Sequence, residues 1–295
     1  MAKHRFNHKD FRVSPGSKVK LDDFDPSWTG GIKDKNAAKE ALQDDVEALS
    51  EAQEVLWAAG QQGVLVIFQA LDAAGKDSTI KHVMSGVNPQ GCAVHGFKAP
   101  SEEDKQHHFL WRPGRYLPAK GQIAIFNRSY YEEVLAVRVH PNFLKGQWLP
   151  EDFNPQKLDK LWEQRYHDIN HWEKALTRQG ITIIKFFLNV SKEEQKNRFL
   201  ARLERPEKNF KFSAADLQER AFWTDYRKAY EQMLTATSTD EAPWYVIPAN
   251  KKWFTRAVVA DIIAARIEAM DLKIPKLSDE QIADLEKAKA QLLAE

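Results

Sequence analysis

The sequence predicts an α/β protein whose parallel sheet carries helices on both faces. Two observations carry that expectation. Residues 64–68 form an unbroken apolar run, the pattern of a strand covered on each side. The run ends in Gln69-Ala70-Leu71-Asp72-Ala73-Ala74-Gly75-Lys76, and a helical pattern follows. Strand, small-residue turn, Gly-Lys and helix is the order a phosphate-binding loop requires. Backbone N–H groups of the turn and of the first helical residues then point at an anion, and the lysine supplies counter-charge.

The loop departs from the strict G-x-x-x-x-G-K-[ST] pattern. Ala70 stands where the first glycine belongs, and Asp77 where the magnesium-binding hydroxyl belongs. Both departures point away from standard ATP-driven enzymes. Asp72 is a carboxylate beside an anion site, which makes sense if it holds metal or aligns a reacting group.

Composition bounds the function. The 295 residues are 43% hydrophobic and 29% charged, a globular balance long enough for one large α/β domain or a domain with an added module. Net charge is +1, so a basic nucleic-acid surface is not expected and an anion site has to be local. The single cysteine, Cys92, excludes an intrachain disulfide and fits a reducing compartment. Residues 1–10 lack a following apolar segment, and no apolar run approaches ~20 residues. A soluble cytoplasmic protein, not bound to membrane, is the expectation.

Taken in order, residues 1–35 hold scattered Pro and Gly and read as an irregular arm. Asn36 is placed to cap a helix carrying Leu42, Val46, Leu49 and Leu56 on one face, ended by Gly60 and Gly63. After the loop, helix continues through residues 78–85, and residues 92–97 make a second strand. Ser101 and Asp104 have capping-box spacing for a helix bearing Lys105, His107, His108, Trp111 and Arg112 and stopping at Pro113-Gly114. Residues 122–127 form a second central strand running into Asn127-Arg128-Ser129-Tyr130-Tyr131-Glu132-Glu133. That segment is an active-site edge if the site lies at the carboxyl ends of the strands.

Residues 157–179 read as a long helix with Trp162, Tyr166, Ile169, Trp172 and Leu176 as packing. A strand over 181–188 follows. Ser191 and Glu194 pair as a capping box before a basic helix whose Arg198, Arg202 and Arg205 fall on one face. A basic turn leads to a long helix from Ser213 to Thr235. The two helices read as a lid over about 192–236, which brings arginines onto a transferring phosphoryl group and excludes water. A strand over 243–249 and an amphipathic helix over 253–270 close the fold. A final helix, 280–294, carries an apolar stripe at Ile282, Leu285 and Leu292 suited to docking on the body or on a second subunit. The expected organisation is an arm (1–35), a kinase-like domain (36–271) and a helical tail (272–295).

Four runs resemble the type-2 polyphosphate kinases: residues 70–77, Phe109-Leu110-Trp111-Arg112, Phe126-Asn127-Arg128-Ser129-Tyr130-Tyr131-Glu132, and Ala242-Pro243-Trp244-Tyr245-Val246. The similarity runs from about residue 11 to about 270. Asn127, Glu132 and Asp77 make the chain look most like the class that phosphorylates nucleoside mono- and diphosphates alike. Ser78, His108 and Pro113-Gly114 depart from the family's usual pattern. The resemblance implies a P-loop NTPase-like α/β/α three-layer sandwich with a helical lid. It implies reversible phosphoryl transfer between inorganic polyphosphate and AMP, ADP or ATP, with Mg²⁺ or with Mn²⁺ in its place, in a homodimer or homotetramer. By position it assigns Asp72, Lys76, Arg128 and Arg202 to catalysis, with Arg198 the alternative lid arginine. Asn127, Glu132 and Asp77 go to the nucleotide. Ala74, Gly75, Lys76, Lys81, Lys98, Lys105 and Arg198 go to polyphosphate, and Asp72 and Glu132 to metal. The rival readings are an ATP-dependent nucleoside monophosphate kinase-like enzyme and a non-enzymatic anion-binding or nucleic-acid module. No nucleic-acid partner is expected.

Overall fold

The strand β1 (Gly63–Gln69) is buried over its whole length and lies at the centre of a five-stranded sheet of order β2-β3-β1-β4-β5. Its companions are β2 (Cys92–Gly96), β3 (Ile123–Asn127), β4 (Ile181–Asn189) and β5 (Trp244–Pro248). Every pairing is parallel. Side chains alternate across the pleat. Val64, Val66 and Phe68 join one core, and Leu65 and Ile67 join the other. A central strand that is apolar on both faces therefore needs a helical layer on each side. The computed structural model describes residues 4–32, 35–149, 151, 153–211 and 214–295.

The helices in chain order are α1 (Lys35–Ala59), α2 (Lys76–Val83), α3 (Glu102–Lys105), α4 (Trp111–Gly114), α5 (Ala136–Val139), α6 (Leu158–Arg178), α7 (Lys192–Leu203), α8 (Ala214–Ala221), α9 (Trp223–Thr237), α10 (Lys252–Glu268) and α11 (Asp279–Leu293). α1, α2 and α10 cover one face, where Leu49, Leu56, Ile80, Val83, Val258, Ile262 and Ile263 are buried. α6 and α9 cover the other, with Leu161, Trp162, Tyr166, Ile169, Tyr230, Met233 and Leu234. The aromatics of α6 are thus packing, as their spacing implied. Gly60 ends α1 at φ +57°. The N-terminal arm covers the β5 edge: Val13 donates to the Trp244 carbonyl at 2.9 Å and Val246 to the Phe11 carbonyl at 2.8 Å. The arm thereby closes an edge that would otherwise present unpaired backbone groups.

Four local expectations differ from what forms. The helix expected to run from Ser101 to Pro113 is two single turns, α3 and α4. The Ser101–Asp104 capping box is present, but the Leu110 N–H turns to His108 Nδ1 at 3.3 Å, a side-chain bond that competes with the helical ladder. Pro113 then sits in the first turn of α4, where its missing N–H costs nothing. The long helix expected to end at Thr235 breaks at Phe222, between α8 and α9. The break lets Trp223 bury at 8% exposure while the Phe222 ring packs edge-on against His140. The proposed cap Ser213 lies outside the described residues, as does the side chain of Asn36, whose backbone is part of α1.

The Ser191–Glu194 box is half made. Ser191 Oγ accepts from the Glu194 N–H at 3.1 Å, but the Glu194 carboxylate accepts from Arg198 Nε at 2.7 Å instead. Finally, α7 ends at Leu203, so Arg205 is not on its face and the expected three-arginine row is shortened to two. α11 has a capping box at Ser278 and buries no residue; its stripe does not dock on the body. No helix among the described residues is long and apolar enough to cross a membrane.

Candidate active site

The loop between β1 and α2 lies at the carboxyl ends of the strands, beside β3. This is where ligands sit in open parallel sheets. Gly75 precedes the helix at φ +111° and Ala73 sits at φ +61°. An added Cβ at Gly75 would be strained by that backbone angle and would meet Arg198 Nη1 at 3.6 Å. Lys76 folds back under the loop, its ammonium donating to the Ala70 carbonyl at 2.8 Å. Burial lowers its pKa to about 8, and the neighbouring Arg128 charge adds to the effect. The resting lysine is thus a desolvated cation held by a carbonyl.

Arg198 supports the loop from behind. It is 7% exposed, and its guanidinium donates to the carbonyls of Ala73 at 3.0 Å, Ala74 at 2.6 Å and Ala249 at 2.5 Å. Its nitrogens are directed at backbone and at Glu194. Geometry therefore makes it a positioning residue, while Arg202 stands nearer the open groove. Arg202 is itself paired with Asp216 at 3.8 Å.

Across the crevice, Arg128 follows the last residue of β3. Its backbone is left-handed at φ +62°, a conformation uncommon outside glycine and concentrated at functional sites. That turn aims its Nη2 at Asp72 Oδ1, 2.5 Å away. Glu132 chiefly, and Asp72 after it, hold the Arg128 guanidinium more firmly protonated. Asn127 donates to Asp77 Oδ1 at 2.7 Å, so these two act as one unit at the start of α2. Glu132 lies one turn further on and accepts from Gln69 at 3.2 Å.

The segment carrying Glu132 is anchored by a buried polar cluster that sequence reasoning missed. Lys185, midway along β4, is fully buried and pairs with Glu173 of α6 at 2.6 Å. Glu173 Oε1 also accepts from the hydroxyls of Tyr130 and Tyr131, both at 2.7 Å. The ammonium completes its bonds at Tyr131 Oη, 2.9 Å, and at the Thr237 carbonyl, 2.7 Å. Burial lowers the Lys185 pKa and raises those of both tyrosines. Arg165 holds the next residue, bonding Glu133 Oε2 at 2.7 Å and Gln147 at 2.8 Å. A lysine inside an apolar strand and a glutamate among apolar helix positions were the signals available in the sequence.

Three cavities meet around these groups. The largest, about 820 Å³, runs over the loop and is lined by Lys76, Asp77, Lys98, Asn127, Arg202 and Lys252 among others. A second of about 290 Å³ lies under α8 and α9, with Glu219, Arg220, Trp223, Tyr226 and Tyr230. Asp72, Arg128 and Asp216 line both, forming the wall between them. A third of about 440 Å³ is walled by Phe109, Trp148, Arg165 and Lys105. Glu132 lines both the second and the third.

Of the expected donor-side residues, Gly75, Lys76 and Lys98 face the loop groove with Arg128 and Arg202. Ala74 is buried behind it. Lys105 lies instead in the third cavity, paired with Glu102 at 2.5 Å, and Lys81 is exposed outside all three. Asn127 and Asp77 open to the loop groove rather than to Glu132's side. Lys252, Asp216, Arg220 and Tyr226 were not anticipated. They come from segments distant in sequence, and no local pattern marks them. Asp72 lines the loop groove and the second cavity, Asp77 only the loop groove, and Glu132 the second cavity; each offers hard carboxylate oxygens of the kind Mg²⁺ takes together with waters and phosphate oxygens.

A parallel sheet with a Gly-Lys loop at the head of a helix, facing a basic groove, defines a P-loop kinase-like phosphotransferase fold. The chain belongs to the polyphosphate kinase 2 family: the family model described as Polyphosphate kinase 2 (PPK2) matches residues 32–275. It is 47% identical to the ADP-polyphosphate phosphotransferase of Rhodopseudomonas palustris over 97% of this chain and 98% of that protein. It is 43% identical to the AMP/ADP-polyphosphate phosphotransferase of Meiothermus ruber over 91% and 96%. The crystal structure of Polyphosphate Kinase 2 from Arthrobacter aurescens TC1 superposes with a TM-score of 0.86 at 39% identity, covering 97% of this chain and 96% of that one.

Proposed function

We propose that the protein transfers phosphoryl groups reversibly between inorganic polyphosphate and adenine nucleotides, with ADP as an acceptor and AMP as a second one. The observation that carries this reading is the Asp72–Arg128 pair standing in the wall between two cavities. Phosphoryl transfer needs two polyanions held in line and the charge on the moving group neutralised. The loop groove holds the donor: it is long and basic, with Lys76, Lys98, Arg202 and Lys252, and carries little that reads a base. The cavity under α8 and α9 takes the acceptor phosphates, and the third cavity, with its aromatic walls, takes the nucleoside. ADP is common to the names of both curated relatives above.

The residues then divide the work. Lys76 leaves the Ala70 carbonyl for a phosphate oxygen of the donor, beside the loop N–H groups. Arg128 bridges to the transferring group, where developing charge is greatest. Asp72 and Glu132 would hold Mg²⁺, which supplies charge neutralisation on the phosphate oxygens. Arg198 keeps the loop in shape through the Ala73 and Ala74 carbonyls and ties it to the Ala249 carbonyl after β5. α7 to α9 act as the lid, with Arg202 and Arg220 on its inner side. A cytoplasmic location and a homodimeric or homotetrameric assembly accompany this reading. The test is a donor comparison: with Mg²⁺ and AMP or ADP, polyphosphate yields product and an equal concentration of ATP with AMP does not. Product from ATP and AMP alone would assign the chain to the ATP-driven rival.

Two expected results follow from the site. The anion binds the cationic form of Lys76, whose resting pKa is about 8. Below that pH the charge is present; above it, binding has to take up a proton. The apparent KM for polyphosphate is therefore expected to climb at alkaline pH, by up to about tenfold per unit for one linked proton. A profile flat across pH 7 to about 9 would remove Lys76 as the counter-charge.

The second concerns acceptor range. A monophosphate's terminal phosphate lies about 3 Å nearer the base, comparable to the ~3–3.5 Å separation needed for attack. Glu132, lining both the acceptor and nucleoside cavities, is placed to hold metal in either register. Glu132→Ala is expected to lower kcat/KM for AMP more than for ADP. Asn127→Asp would set a second carboxylate against Asp77 in the donor groove and is expected to lower both alike. Unchanged AMP-to-ADP ratios in Glu132→Ala would place the selection in the lid.

A further inference from the structure

Away from the residues that line the loop groove, the N-terminal arm meets α1 and α10 at a cluster the transfer chemistry does not use. Asp261 sits in the middle of α10, 1% exposed among apolar neighbours. Each of its carboxylate oxygens faces a histidine of the arm: Oδ1 lies 3.0 Å from His4 Nδ1, and Oδ2 lies 2.6 Å from His8 Nε2. One donor atom from each of the three residues falls within 4.8 Å of the other two. His4 Nε2, the nitrogen turned away from Asp261, lies 3.5 Å from Glu268. That is the outer carboxylate contact that fixes the tautomer of a metal-bound imidazole.

A second observation points to a ligand. Asp45 of α1 is 7% exposed, and its Oδ2 has no hydrogen-bond partner. It lines a cavity of about 150 Å³ together with His4 and Asp261. A buried, unpartnered carboxylate oxygen is costly. Arg5, the neighbouring cation, is engaged by Asp44. The two imidazoles and Asp261 form the close cluster, and Asp45 shares the adjoining cavity with His4 and Asp261, its one oxygen still lacking a partner.

We propose that His4, His8, Asp261 and Asp45 bind a divalent transition metal of the zinc class, which clamps the arm onto the α1–α10 pair. Imidazole and carboxylate donors suit zinc, cobalt and nickel, whereas magnesium favours oxygen alone. The metal replaces the shared protons between the histidines and Asp261 and satisfies Asp45 Oδ2. The site is independent of the catalytic Mg²⁺, whose proposed ligands are all oxygens.

The test uses the full chain, stripped with chelator and titrated with Zn²⁺ in excess Mg²⁺. One tightly held equivalent of zinc is expected, with Tm rising on the order of 5 °C when free zinc is about a hundredfold over Kd. Co²⁺ is expected to give visible bands of a low-coordinate nitrogen–oxygen site. His4→Gln and His8→Gln lose the equivalent, the bands and the Tm shift, while Asp72→Asn keeps all three. His4 is 27% exposed, so His4→Gln serves if His8→Gln does not fold. Zinc binding and Tm response unchanged in His4→Gln, or loss of the equivalent in Asp72→Asn alone, overturns the proposal. The readouts do not involve phosphoryl transfer, so they stand apart from the functional reading.

Discussion

Lys76→Ala is expected to lower kcat/KM for transfer from polyphosphate on the order of 100- to 1000-fold, equivalent to about 2.7–4 kcal/mol of transition-state stabilisation. On the proposed mechanism the loop N–H groups remain, but the cation that would meet the donor phosphate is gone. Stability is expected to hold. The folded environment lowers the lysine's pKa to about 8, so its charge is disfavoured in the folded state relative to the unfolded one. Removing it takes away an unfavourable buried charge and leaves the Ala70 carbonyl to water. Activity and Tm measured on one preparation separate the two effects. A variant with near-normal rates would remove the loop from the mechanism, and one that unfolds would make Lys76 a structural residue.

Glu173→Ala is expected to destabilise the fold by about 3–5 kcal/mol, because it leaves Lys185 charged and unpaired at zero exposure. Two tyrosine hydroxyls lose their acceptor in the same step. At this chain length the corresponding fall in Tm is on the order of 10 °C. The pair Glu173→Leu with Lys185→Met is expected to recover much of that loss, since an apolar replacement carries no unmet charge. It is not expected to recover activity fully, because Tyr130 and Tyr131 then lose the bonds that hold Glu132 in place. Thermal denaturation of the single and double variants decides the stability claim. A fall under about 2 °C for Glu173→Ala would mean the cluster does not anchor the segment.

The parallel sheet, the phosphate loop and the family were legible in the chain because each rests on local pattern. The apolar run at 64–68 and the largely apolar stretches at 123–126 and 181–188 mark strands wherever the rest of the chain goes. Gly75 and Lys76 adjoin their own strand and helix. Asp72, Lys76 and Arg128 were reachable because each lies within a few residues of a strand's carboxyl end, and a parallel sheet brings those ends together.

What local pattern could not show was how side chains from distant segments meet. Arg198 has the helical spacing of a lid arginine, yet tertiary packing turns it inward onto the loop carbonyls. The resemblance put Asn127, Glu132 and Asp77 together at the nucleotide; packing pairs Asn127 with Asp77, 50 residues away, and leaves Glu132 lining other cavities. Lys105, which the resemblance assigned to polyphosphate with Lys81 and Lys98, lines another cavity, beside the break in the helix at residues 106–110. Phe222 interrupts a continuous helical pattern because burying Trp223 outweighs one turn of ladder. Periodicity and turn chemistry are properties of neighbouring residues, so the sequence by itself determined the strands, the loop and the family. Charge pairing, cavity walls and helix breaks depend on which surfaces exclude water together, so the Lys185–Glu173 anchor, the inward Arg198 and the division of the site into three cavities were decided only when the tertiary structure brought those surfaces into contact.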